Sequence, residues 1–195
     1  ERKIAAARLL HVTGITPALS ESAAAAVQSA VDCAKSAGTL VSFDLNYRAA
    51  LWPRPAAAAA FEALIRQSDV VFAGDDEAAI VVGEAAEPLE LAHRLAALGP
   101  AQVVIKLGAK GCVALVDGEE HQQDAVPVRA VDTVGAGDAF VGGYLAELLD
   151  GQPVRERLLT AVRTGAYACL VPGDWEGMPR RSELGLLGAA EPVSR

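Results

Sequence analysis

The chain has 195 residues, 52% of them hydrophobic and 22% charged, which is near the upper end of what one core supports and excludes disorder along its whole length. Its 17 Lys and Arg against 25 Asp and Glu give a net charge of −8, which excludes the cationic surface that non-specific nucleic-acid binding depends on. No uncharged apolar run approaches the roughly 20 residues needed to cross a bilayer, and Glu1-Arg2-Lys3-Ile4 lacks the apolar core of a signal peptide, so a soluble, non-membrane protein is expected.

The apolar run Leu9 to Ile15 predicts a strand, and the alanine-rich stretch from Ser20 to Ala37 a helix, with Ser20 as N-cap and Gly38 as terminator. Thr39 to Asp44 predicts a second strand, followed by a polar segment and a helix from Pro55 to Gln67. Asp69 to Ala73 reads as a strand, Asp75 to Val82 and Glu87 to Ala97 as two helices, and Gln102 to Leu107 as a fourth strand. Strands alternating with helices in this way predict an α/β fold with a mostly parallel sheet and helices on both faces. After Gly108, Cys112 to Val116 and the run to Gln123 predict a hairpin about Asp117-Gly118, and Val126 to Val131 predicts one more strand. Ala136 to Leu149 and Val154 to Leu170 are long periodic helices, with a last short helix expected over Ser182 to Leu187.

Cys33, Cys112 and Cys169 are far apart, which fits a reducing cytoplasm, and His11, His93 and His121 have no metal-site spacing. The segment that carries chemistry is Asp132-Thr133-Val134-Gly135-Ala136-Gly137-Asp138, between the last predicted strand and a long helix. Gly135, Ala136 and Gly137 let backbone approach a ligand closely, and the free N–H groups of a first helical turn favour an anion such as a phosphoryl group. Asp138 on that turn is placed to accept a proton from an attacking hydroxyl. A dinucleotide motif fails because Phe140 stands where a third glycine belongs, and the Gly-Lys-Ser/Thr of a Walker A loop is absent.

Asp132 to Phe140, with Gly143, resembles the C-terminal signature of the ribokinase-like (PfkB) carbohydrate kinases. Phe43 to Arg48 with Leu51-Trp52, the loop Lys106 to Gly111, and Gly165-Ala166 through Val171-Pro172-Gly173-Asp174 with Gly177 and Pro179 resemble further family segments, the last in its 2-keto-3-deoxygluconate kinase branch. The resemblance implies a ribokinase-like fold in which residues 1–195 are the C-terminal portion of a single kinase domain. The family's N-terminal strands and β lid, a homodimer contact in the full-length form, are then missing from this chain, which leaves the activity of the fragment open.

By that resemblance Asp138 is the general base and the Gly135, Ala136, Gly137 and Asp138 amides form the anion hole. ATP is the co-substrate, met by Asn46, Arg48, Lys106, Gly108, Gly111, Gly135 and Gly137. Asn46, Arg48, Asp174 and Asp138 face the sugar, and an Arg48 guanidinium suits the carboxylate of an acid sugar. Asp132 orders the loop, in some relatives through a monovalent cation such as K+, and Glu77 reaches Mg2+ through water. The family's Asn-x-x-Glu here reads Gly74-Asp75-Asp76-Glu77, with the Glu kept and the Asn replaced.

Taken singly, several of these residues also have plain structural readings. Lys106 reads as a strand-end residue with its stem buried, Glu77 as a carboxylate favoured at a helix start, Asp174 as a turn cap and Trp52 as a packing aromatic. The acceptor expected is 2-keto-3-deoxygluconate. A fructokinase, ribokinase or nucleoside kinase of the same family, or a non-catalytic nucleotide-binding fragment, are the alternatives.

Overall fold

The computed structural model describes residues 1–187. They form two compact units, one of residues 1–107 with Val113–His121, the other of Gly108–Cys112 with the chain from Gln122 onward.

The first unit opens with α1 (Arg2–Ala5), β1 (Leu9–Thr13) and a short helix, α2 (Ile15–Leu19), that the sequence pattern did not predict. Next come α3 (Glu21–Ala37), β2 (Leu40–Asp44), α4 (Arg54–Ile65), β3 (Val70–Gly74), α5 (Asp75–Val82), α6 (Pro88–Ala96) and β4 (Gln102–Lys106). The hairpin β5 (Cys112–Val116) and β6 (Glu119–Gln123) completes a six-stranded sheet in the order β1-β2-β3-β4-β5-β6. The first four strands pair in parallel. The Asp117 N–H donates to the Ala101 carbonyl at 2.8 Å, which sets the end of β5 beside the start of β4. Positive φ at Asp117 (52°) and Gly118 (85°) gives the tight turn that matches strand twist.

Local chemistry sets the element ends. Ser20 Oγ accepts the Ala23 N–H at 3.1 Å, and Gly38 closes α3 at φ 73°, both as the sequence predicts. Val27, Val31 and Ala34 form the buried stripe of α3. They join Phe61 and Ile65 of α4 and Leu91 and Leu95 of α6 against Val41, Phe43, Val71, Ala73, Val103 and Ile105 of the strands. The alternate residues Ser42, Val70, Phe72 and Val104 are fully buried too, so both faces of the central strands are covered. Each large apolar side chain among these contributes roughly 1.5–3 kcal/mol on burial.

In the second unit, α7 (Ala136–Leu149) and α8 (Val154–Ala168) form a helical pair. A Cβ on Gly143 would lie 2.4 Å from Thr164 Oγ1 and 3.1 Å from the Thr160 carbonyl, so glycine sets how closely the two helices approach. The buried Glu147 accepts from Arg181 at 2.5 Å and from Thr160 at 3.3 Å. Two sequence expectations are corrected here. Val126 to Val131 forms no strand: Pro127 has no N–H to give a ladder, and the Val131 N–H donates to the Cys169 carbonyl at 2.8 Å. Ser182 to Leu187 is a single 3-10 turn over Arg181–Glu183, because Gly185 is a poor helix former and Leu186 is exposed, leaving no apolar face to bury.

Candidate active site

Strands β2, β3 and β4 end at Asp44, Gly74 and Lys106, at the carboxyl edge where open α/β sheets receive ligands. Lys106 Nζ donates to Asp44 Oδ1 and Oδ2 at 2.7 and 2.8 Å. The Asp44 side chain is only 2% exposed and that of Lys106 18%. Glu77, on the first turn of α5, accepts the Gly74 N–H at 2.7 Å on one oxygen and the Tyr47 N–H at 2.8 Å on the other. Burial pushes the Glu77 carboxyl above its ordinary range; Asp44 adds to the rise, while Lys106 and the two N–H donors offset part of it.

The segment after β2 is held from several directions. The Leu45 N–H donates to the Phe72 carbonyl at 3.0 Å, and the Tyr47 hydroxyl to the Trp52 carbonyl at 3.1 Å. The Phe61 ring meets Phe43, Tyr47 and Trp52 edge-on, with centroids 5.8, 6.4 and 5.5 Å away. Between these anchors Asn46 is buried at φ 40°, a left-handed conformation that asparagine tolerates better than most residues. Arg48 is exposed.

The second unit holds the other sequence-predicted residues. Gly135 is the N-cap of α7 at φ 76°, and no side chain caps that helix. Its first-turn N–H groups thus lack a side-chain acceptor, and the Ala136 N–H donates to the Thr133 carbonyl at 3.3 Å. A Cβ at Gly135 would lie 2.0 Å from the Asp174 carbonyl oxygen, so Asp174 meets this loop through its backbone. Asp132 accepts the Val134 N–H at 3.1 Å and the Gly173 N–H at 3.2 Å, tying the loop to the segment before Asp174. Those donors hold its carboxyl below the ordinary 3.8.

Asp138 is exposed on the first turn of α7 and lines a cavity of about 300 Å³ with Gly142, Gly143, Thr164, Met178 and Pro179. Gly108 begins a single 3-10 turn that the Gly111 N–H closes at 3.1 Å on the Gly108 carbonyl. Gly111 sits at φ 96°, where a Cβ would lie 2.0 Å from the Gln123 carbonyl oxygen.

The structure therefore groups Asn46, Arg48, Glu77 and Lys106 in the first unit, and Gly108, Gly111, Asp132, Gly135–Asp138 and Asp174 in the second. Sequence reasoning missed the Asp44–Lys106 pair and the bridge from Glu77 to Tyr47. Among the described residues no group of three or more His, Cys, Asp or Glu is arranged to hold a metal. Both Glu77 oxygens already accept backbone N–H groups, so they meet a hydrated cation only through their remaining lone pairs. The same holds for Asp132. No helix among the described residues is long and apolar enough to cross a membrane.

Comparison with known proteins places this α/β fold in the ribokinase-like class of carbohydrate kinases. Residues 1–181 match the pfkB family carbohydrate kinases, and the chain belongs to that family. It is 38% identical over 182 residues to a 2-dehydro-3-deoxygluconokinase of Thermoproteus tenax, covering 92% of this chain and 54% of that protein. It is 36% identical over 169 residues to a 2-dehydro-3-deoxygalactonokinase of Haloferax volcanii, covering 86% of this chain and 53% of that protein. A crystal structure of a double-mutant fructokinase from Vibrio cholerae O395, with fructose, ADP and potassium ion bound, matches with a TM-score of 0.85 at 27% identity. That match covers 93% of this chain and 60% of the fructokinase. The chain thus spans about half the length of the curated relatives it matches.

Proposed function

We propose that residues 1–195 are the C-terminal portion of a single ATP-dependent kinase domain that phosphorylates the primary hydroxyl of a sugar acid, 2-keto-3-deoxygluconate. The observation that carries this reading is the uncapped start of α7 at Gly135 with Asp138 on its first turn. The two relatives named for 2-dehydro-3-deoxy sugar acids support the acceptor class.

In this reading Asp138 accepts the hydroxyl proton as the sugar oxygen forms its bond to the γ-phosphorus. The bond from that phosphorus to the bridging oxygen breaks, and ADP leaves with the electron pair. The amides of Gly135, Ala136, Gly137 and Asp138 steady the charge on the transferred group, where fixed donors need no reorganisation. Gly108 and Gly111 line the nucleotide; Asn46, Arg48 and Asp174 serve the sugar, with the Arg48 fork taking its carboxylate. Magnesium, when bound, neutralises charge on the nucleotide phosphates, with Glu77 reached through water. Asp132 serves the loop and a monovalent cation; that a relative's structure holds a potassium ion supports the use of such a cation in the family. The protein acts in the cytoplasm, and its full-length form is a homodimer.

The test is coupled ADP release with magnesium-ATP against 2-keto-3-deoxygluconate, its galactose-series epimer, fructose, ribose and no sugar. It is run on this chain and on the longer coding product where one exists. Release that depends on the sugar acids supports the reading. Release only with fructose or ribose moves the acceptor, in keeping with the fructokinase match. ATP binding without sugar-dependent release means a non-catalytic nucleotide-binding protein.

A further inference from the structure

Lys106 ends β4, at the head of a segment that resembles the nucleotide side of a kinase, yet its ammonium is committed elsewhere. Both oxygens of Asp44 receive it, at 2.7 and 2.8 Å. Asp44 and Lys106 lie on strands separated by β3, and the Lys106 side chain reaches across the end of that strand, where Gly74 presents no side chain. At 2% exposure the Asp44 carboxylate is the more buried partner, and a buried carboxylate stripped of its counter-ion carries a large desolvation penalty. The pair is thus a constraint on where β2 ends.

Beyond Asp44 the chain enters the segment whose shape the sugar would read. The Asp44 carbonyl accepts the Gly14 N–H at 2.9 Å, and the Leu45 N–H is bound to β3 at 3.0 Å. The Tyr47 N–H is held by Glu77 at 2.8 Å, and the Arg48 carbonyl accepts the Leu51 N–H at 2.9 Å. Asn46, between these fixed points, is held at φ 40°. A non-glycine residue stays in that sparsely populated region only where its surroundings over-determine it.

We propose that Asp44 and Lys106 form a positioning pair for the Asn46–Arg48 segment, with Lys106 acting through Asp44 and not on the nucleotide. This rests on the reading that Asn46 and Arg48 serve the sugar. The pair fixes the end of β2, Glu77 fixes Tyr47, and together they hold Asn46 in its left-handed conformation and set the direction from which Arg48 departs. Loss of the Lys106 charge takes from the buried Asp44 carboxylate the ammonium that both its oxygens accept, and the strand end shifts toward water.

The experiment compares Lys106→Met, Asp44→Asn and the double variant with the parent chain by two readouts. In hydrogen exchange, the peptide spanning residues 45–51 exchanges about 10-fold faster in each single variant, while the α3 peptide keeps its protection and reports intact folding. In steady-state kinetics, KM for the sugar acid rises about 10-fold in each single variant, the double is no worse than either, and KM for ATP moves less than about 2-fold. A 10-fold rise in KM for ATP in Lys106→Met alone would overturn the proposal by making Lys106 a nucleotide ligand. Unchanged exchange at residues 45–51 in both single variants would also overturn it. If the single variants do not fold, the double variant, in which neither member of the pair is charged, carries both readouts. If the parent turns over no sugar, the kinetic readout moves to the longer coding product, and the exchange readout on this chain decides the positioning role by itself.

Discussion

Replacing Gly135 by Ala introduces one methyl group where the loop before α7 meets the Asp174 backbone most closely. The cost has two parts. At φ 76° an L side chain is in the left-handed region, which costs about 1–2 kcal/mol. The new Cβ would stand 2.0 Å from the Asp174 carbonyl oxygen and 2.7 Å from its carbon, about 1.4 Å inside ordinary van der Waals contact, so the two loop backbones must separate. Overpacking of this kind costs about 1–3 kcal/mol, and the sum is about 2–5 kcal/mol in a protein whose whole stability is of order 5–15.

Two glycines in the next two turns of α7 serve as controls. Gly142→Ala places a Cβ in open space and gains about 0.5–1 kcal/mol of helix propensity. Gly143→Ala meets Thr164 Oγ1 at 2.4 Å and the Thr160 carbonyl at 3.1 Å, so its worst contact is with a side chain that gives way at lower cost than a backbone. Urea unfolding followed by circular dichroism should rank stability as Gly142→Ala above the parent, then Gly143→Ala, then Gly135→Ala. A Gly135→Ala protein as stable as Gly142→Ala would refute the claim that this glycine exists to let the two backbones touch.

Arg48→Met should raise KM for acid sugars by about 10-fold or more while leaving neutral sugars within about 3-fold; equal effects would argue against a carboxylate clamp. Asp132 has a folded-state pKa below its ordinary 3.8, so its contribution to stability is present above that value and is lost as pH falls through the folded pKa. The urea-midpoint gap between the parent and Asp132→Asn should therefore hold steady above about pH 5 and close in the acid range, and a pH-independent gap would contradict the assignment. Burial pushes the Cys112 thiol up to about 12, so iodoacetamide near neutral pH should modify Cys33 and leave Cys112 untouched until urea is added. Labelling of both cysteines at one rate would mean that Cys112 is not enclosed.

Much of the fold could be read from local signals. Ser20 and Gly38 bound α3 because capping is written in adjacent residues, and Asp117-Gly118 turns the hairpin because its φ values demand those residue types. Val126 to Val131 misled because its β-prone side chains alternate like a strand; Pro127 stood in the sequence as a warning, while the absence of a ladder partner is decided by tertiary context. The short α2 has no cap to announce it, since its N-cap is Gly14. In the candidate site, the Gly135–Asp138 turn was legible because glycines and a carboxylate at a helix start carry meaning by themselves. The Asp44–Lys106 pair was not, because its members stand 62 residues apart and only the register of three strands brings them together. Glu77 read as one of three acids at a helix start; that it reaches Tyr47, 30 residues upstream, depends on how β2 and β3 align.

The central claim is that Asp138 takes the proton during phosphoryl transfer from ATP to a sugar. It is tested most directly by measuring sugar-dependent ADP release with saturating magnesium-ATP and 2-keto-3-deoxygluconate for the parent and for Asp138→Asn, alongside ATP binding by calorimetry. The account predicts a fall in kcat of about 10²–10⁴-fold with ATP affinity changed less than about 2-fold. Turnover in Asp138→Asn equal to that of the parent would contradict it.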